Sequence, residues 1–222
     1  LEIMQRVHGR DANHEDIDFI NRFSIRNATI PHRTGIGAFL KYEPTTWSYV
    51  QLLGVDNQYK RGKTGFDTAF HDESQFVGYL EAGFKPAWES SKGPMPMVLR
   101  GGCWYDPTTK TVFRNTLGGR REAERDTGDA GYYFGADQLV WKEQSDAKDK
   151  QGLGLFARYG HAHADRNRIT DYWSLGASYL GLIPTRDADV MGLACAQAIL
   201  SERYRNDLRP TADRSGNIQT EV

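Results

Sequence analysis

Between Gly152 and Leu200 the chain alternates. Leu153, Leu155, Ala157 and Tyr159 fall on one parity; Gly154, Phe156, Arg158 and Gly160 fall on the other. Further on, Trp173, Leu175, Ala177 and Tyr179 oppose Tyr172, Ser174, Gly176 and Ser178. A period of two is the mark of a β-strand, whose successive side chains point to opposite faces. Each segment runs for ten or more residues, longer than the ~5–6 of a typical globular strand. The length suits a tilted strand crossing a bilayer, which needs ~9–11 residues.

The same pattern, followed from Gly35 onward, predicts eight strands at 35–43, 47–55, 75–86, 96–105, 131–142, 152–163, 169–182 and 189–204. Pro44, Pro94, Pro107 and Pro184 fall at or near their ends, where a missing backbone donor does least harm. No long amphipathic helix separates the strands, so antiparallel hairpins are expected rather than βαβ units. Residues 1–34 read as an irregular N-terminal portion and 205–222 as a polar loop. With no linker between them, residues 1–222 read as one domain. The connections 44–46, 87–95, 143–151 and 183–188 are short or moderate, whereas 56–74 and 106–130 are long and charged. Only 164–168 breaks this rhythm. Outer-membrane barrels have short periplasmic turns and longer external loops, which places 56–74 and 106–130 outside the cell.

Composition fits. Aromatic residues make up 12% of the 222 positions, and there are 23 glycines, a profile of a β protein rich in turns and close backbone contacts. The mean hydropathy of −0.64 excludes a helical membrane protein. It does not exclude a barrel, whose strands carry polar residues at every second position. A net charge of −1 and the lack of a basic stripe argue against a nucleic-acid partner. Cys103 and Cys195 are too few and too far apart for a disulfide framework. The opening LEIMQRVHGR lacks the apolar core of a secretory signal, so the expectation is a removed signal or an internal fragment.

Five stretches carry a family likeness: GAFLKYEPTTWSYVQLLGVDN (37–57), TGFDTAFH (64–71), VLRGGCWYDP (98–107), GYYFGADQLVW (131–141) and GLFARYGHAHADRNRITDYWSLGASYLGLIPTRDADVMGL (154–193). Taken in order, they resemble the carbohydrate-selective outer-membrane porins of the OprB type over about residues 10–205. GLIPTRDADVMG is the most specific phrase. Thr185 departs from the family, which more often has Gly in that turn. The resemblance implies an all-β, antiparallel, up-and-down transmembrane β-barrel of sixteen strands around a water-filled sugar pore. About eight strands are present here, so a truncated barrel is expected, with strands missing at both ends. It also implies residence in the bacterial outer membrane, with small sugars and outer-membrane lipids as partners. It leaves a homo-oligomer open and calls for no cofactor, no metal and no covalent chemistry.

Within that frame, alternation assigns faces. Arg100 and Trp104 oppose Leu99, Cys103 and Tyr105; Arg158 opposes Leu155, Ala157 and Tyr159; Glu81 opposes Phe76, Leu80 and Phe84. A charge is costly in hydrocarbon, so Arg100, Trp104, Arg158 and Glu81 are expected in the lumen. Asp137 and Gln51 join them, although alternation is interrupted nearby, as it is at Gln138. Guanidinium, carboxylate and amide groups can hydrogen-bond sugar hydroxyls, and an indole can stack on a pyranose ring. The plainer role for each is a lumen side chain that holds barrel shape through a cross-strand pair. Tyr42, Trp47, Trp88, Tyr105, Tyr132, Trp173 and Tyr179 are candidates for the interfacial aromatic belts.

Other chemistry is thin. Gly62-Lys63-Thr64 resembles the end of a phosphate loop, but position 57 is Asn where that loop needs Gly. His161 and His163 share a parity without a third ligand nearby and are expected at the rim. Asp187 and Asp189 suit turn capping. No strained Gly-x-Ser-x-Gly elbow is present. Two other classes compete with a porin. A soluble or secreted carbohydrate-binding β-sandwich would put Arg100 and Arg158 on a solvent face over a dry core. A barrel enzyme would need a nucleophile–base pair at the rim.

Overall fold

The computed structural model describes residues 27–31, 36–57, 76–113, 125–145 and 151–208. Among the described residues nine strands form: β1 (Gly37–Thr45), β2 (Ser48–Asp56), β3 (Phe76–Phe84), β4 (Ala87–Ser90), β5 (Gly93–Thr111), β6 (Arg125–Lys142), β7 (Gly152–Ala162), β8 (Ile169–Leu180) and β9 (Val190–Leu200). A short helix, α1 (Glu202–Leu208), follows. The sheet order is β1-β2-β3-β5-β6-β7-β8-β9, every pair antiparallel, with β4 folded back on β5 as a hairpin arm. Sequential neighbours throughout make an up-and-down meander. This ordering excludes the stacked sheets of the sandwich reading for the described residues.

All eight expected strands are present, but three of them differ by more than two residues at one end or both. β5 and β6 reach 19 and 18 residues because the ladder resumes past a bulge, pairing Thr109 with Thr127, Lys110 with Asp126 and Thr111 with Arg125. Those positions are charged or hydroxylated on both faces, so no apolar alternation marks them, and 106–130 read as loop. The expected connection 87–95 is mostly the β4–β5 hairpin. There the Ser90 hydroxyl accepts from Lys92 N (3.1 Å) and donates to Gly93 O (2.9 Å).

The strand expected at 189–204 stops at Leu200, and the polar loop expected from 205 begins inside α1. Ser201 is the cause: its Oγ accepts the Tyr204 N–H at 3.3 Å, an N-cap bond, and Glu202 places an acid in the first turn. Of the expected irregular stretch 1–34, residues 27–31 are described and form a turn. Gly62–Thr64 lies outside the described residues.

Register settles the faces, since directly paired residues share a side. Arg100 pairs with Gly83 and Gly135, Arg158 with Gly135 and Ser174, and Glu81 with Gln51 and Gly102. These form one face, called inner below. Leu52, Leu80, Leu99, Phe134, Leu155, Leu175 and Leu193 lie on the other. The hydrophobic patterning is inverted relative to a water-soluble domain. The inner face buries Gln51, Glu81, Arg100, Asp137, Arg158, Ser174 and Ser178, while the outer face exposes its leucines, Leu193 by 82%. On the apolar parity of β7 and β8, Leu155, Ala157 and Leu175 are exposed and Leu153, Trp173, Ala177 and Tyr179 half-exposed.

Candidate functional site

The middle of the inner face carries two linked polar clusters. The first is centred on Glu81 of β3. Its Oε1 accepts from Tyr49 OH (2.9 Å) and Gln51 Nε2 (2.8 Å) of β2, and its Oε2 accepts from Tyr133 OH of β6 (2.7 Å). The second is centred on Asp137 of β6. Its Oδ2 pairs with Arg100 of β5 and its Oδ1 with Arg158 Nη2 of β7 at 2.6 Å. Arg158 Nη1 also donates to the carbonyls of Ala136 and Ala157, both at 2.9 Å. Asp137 thus ties three neighbouring strands, β5, β6 and β7, while Glu81 joins β3 to its neighbour β2 and reaches across β5 to β6.

Glycine makes room for these large groups. A Cβ on Gly83 would overlap the Tyr49 ring, and one on Gly102 would come within 2.5 Å of Tyr133 Cζ. At Gly135 it would come within 2.8 Å of Arg100 Nε. Each large side chain lies flat over a glycine of the adjoining strand. This packing binds the chain's glycine content to its inner-face chemistry.

Toward the long connections the same face carries a third cluster. Lys110 sits between Asp106 (3.4 Å) and Asp129, and Asn167 Nδ2 donates to Asp129 Oδ2 at 2.8 Å. The Lys110 ammonium lies 5.4 Å from the Trp104 ring centroid, a cation–π distance. The β7–β8 turn supplies Asn167, so that turn leans over the inner face. Among the described residues no cluster of His, Cys, Asp and Glu could hold a metal.

All six expected lumen residues lie on the inner face. Arg100, Arg158 and Asp137 are joined, as are Glu81 and Gln51. Trp104 stands apart, buried in an apolar cluster with Leu53, Val77, Tyr79, Tyr133 and Ile30, its ring filled rather than open. Gln138 takes the opposite parity and donates to the carbonyls of Pro96 (3.2 Å) and Leu139 (2.6 Å), beside the irregularity between Leu139 and Trp141 that obscures the pattern. Tyr49 and Tyr133 were missed in the sequence. Tyr133 stands in the run Tyr132-Tyr133-Phe134, where alternation has no contrast; Tyr49 shares its parity with Gln51, a usable signal.

The outer face has its own order. Tyr42, Trp47, Trp88 and Tyr179 stand toward the short turns, and Tyr105, Tyr132 and Trp173 toward the long connections, all exposed or half-exposed. Leucine, phenylalanine and alanine fill the interval. Polar groups resume at the upper margin, where Tyr159 OH and His161 Nδ1 meet Asp171 Oδ1 at 2.7 and 3.0 Å. His163 lies in the turn, apart from His161. Asp189 pairs with Arg186 at 2.5 Å in the β8–β9 connection.

An apolar outer band between aromatic rows, over a polar inner face, is a transmembrane barrel wall. The family model for the carbohydrate-selective porin, OprB family, matches residues 26–221. The chain belongs to that family. A high-pH structure of Pseudomonas putida OprB matches with a TM-score of 0.66 at 20% identity, over 81% of this chain and 43% of that one. At that identity the likeness shows the fold, and the chain spans less than half the solved relative's length. No curated protein matches. Membership of the OprB family accounts for the all-β antiparallel meander.

Proposed function

We propose that this chain walls a water-filled pore in the outer membrane of a Gram-negative bacterium, through which small carbohydrates pass by facilitated diffusion. The observation that carries this reading is the inverted patterning: charged and amide side chains on the inner face, a continuous apolar surface outside. The OprB family is one of transport channels, and the reading needs no bond-making step.

Arg100, Arg158, Glu81, Asp137 and Gln51 are the proposed path residues. Their cross-strand bonds hold them in place, so meeting a sugar costs little ordering. Arginine offers several donors in a fixed plane to neighbouring hydroxyls. Each contact must stay weak, because a site that binds tightly stops conducting. Trp104 marks the upper end of the path.

Planar-bilayer recording on the intact protein tests this. Arg100→Ala and Arg158→Ala should weaken sugar-dependent block of the ion current and lower anion preference, because each removes a positive charge. Trp104, buried in its apolar cluster, has no open ring face, so Trp104→Ala should leave sugar block largely unchanged. Unchanged block and selectivity in both arginine variants would reduce these residues to wall material.

A further inference from the structure

A segment ahead of the first strand lies across the inner face. In Asn27–Pro31, Ile30 N donates to Asn27 O at 3.2 Å, closing a turn. Thr29 N and Oγ1 both donate to Asn27 Oδ1, at 3.1 and 2.6 Å, which stiffens it. At one end Asn27 Nδ2 donates to Tyr159 O of β7 at 3.2 Å. Beneath it lies Gly160, where an added Cβ would overlap both the Asn27 carboxamide and the Thr29 hydroxyl. At the other end Tyr79 OH of β3 donates to Pro31 O at 2.7 Å. Between these anchors, Ile30 is buried with Leu53, Val77, Tyr79, Trp104, Tyr133 and Ala162, inner-face residues drawn from five strands.

In the sheet, β7 and β3 stand three strand spacings apart, about 14 Å. A turn of this length meets both because the Asn27 carboxamide reaches out to β7 and the Tyr79 hydroxyl reaches in from β3 to Pro31 O. The segment is therefore a cross-piece on the concave side. It is anchored by hydrogen bonds at both ends and by apolar burial in the middle. Gly160 is two residues from Arg158 on β7, and Tyr133 belongs both to this cluster and to the bonds of Glu81. A solute passing the cross-piece reaches the polar network next.

We propose that Asn27–Pro31 is a fixed strut that narrows the lumen on the side of the long connections and sets the size of solute admitted. This rests on the porin reading. A loose loop would impede passage only on average, whereas a strut clamped to two walls imposes a constant aperture. The fit of Asn27 and Thr29 over Gly160 and the seating of Ile30 make it such a strut.

The test compares two ways of releasing it in the intact protein. Asn27→Ala/Ile30→Ala leaves the barrel wall untouched, and Gly160→Val pushes from the wall side. Both should raise single-channel conductance about 1.5-fold or more, since the open cross-section governs ion flow. Both should also admit trisaccharides into liposomes where the parent protein passes only smaller sugars. Sugar block through Arg100 and Arg158 should persist. If Asn27→Ala/Ile30→Ala keeps the parent's conductance and size cut-off, the strut proposal is wrong while the porin reading stands. If the parent protein itself conducts neither ions nor sugars, the porin reading fails instead.

Discussion

Asp137 shows how much one side chain carries on the inner face. It is fully buried, and it neutralises two guanidiniums, each only 8% exposed. Removing one partner from a buried ion cluster leaves uncompensated charge, which costs about 3–5 kcal/mol where water is excluded. Asp137→Asn should therefore lower the temperature at which the folded band is lost in a heat-modifiability gel. It should also shift ion selectivity toward anions, the reverse of Arg100→Ala. An unchanged melting temperature together with unchanged selectivity would mean that the lumen field is set elsewhere. At this scale the sequence was legible wherever polar and apolar residues contrast: Arg100 and Arg158 were placed by their leucine and alanine neighbours. It was not legible at Tyr133, because an aromatic run has no contrast to read. Ile30 was illegible for a different reason. An isolated apolar residue in a polar stretch gives no sign that it seats against residues far along the chain.

Elements were legible where one face meets hydrocarbon. β7 and β8 alternate cleanly because lipid enforces an apolar residue at every second position. The upper ends of β5 and β6 lack that constraint; backbone pairing alone extends them, so residues 106–111 and 125–130 looked like loop. The α1 boundary depended on a single cap at Ser201. Two predictions belong here. Leu155 pairs with Ala177 and Leu175 with Ala157 in the β7–β8 ladder, midway between the aromatic rows. Leu175→Arg should cost about 2–4 kcal/mol in urea titrations of folding into vesicles, whereas His163→Arg, exposed in the β7–β8 turn beyond the apolar band, should cost much less. Equal costs would contradict the face assignment. In the β8–β9 connection Thr185 has φ of +72°, the left-handed region that disfavours a side chain with a branched Cβ. This is the position where the resemblance anticipated glycine. Thr185→Gly should therefore stabilise the fold by about 1 kcal/mol, read as a higher midpoint in the same titration. A lower midpoint would show that the Thr185 side chain contributes contacts outweighing the strain.

For the whole molecule, the decisive property is the inside-out distribution of polarity along a curved meander. A mean hydropathy of −0.64 looks soluble because the inner-face residues and the charged connections offset the outer band. Periodicity recovers what the average hides. The outer surface then suits hydrocarbon, and the inner face suits the passage for polar solutes proposed above. Liposome swelling tests that claim most directly. The intact protein, reconstituted into liposomes and diluted into isosmotic sugar, should drive swelling with a monosaccharide, with a rate that falls steeply as saccharide size rises. Swelling no faster than in protein-free liposomes, for every sugar tried, would contradict the account.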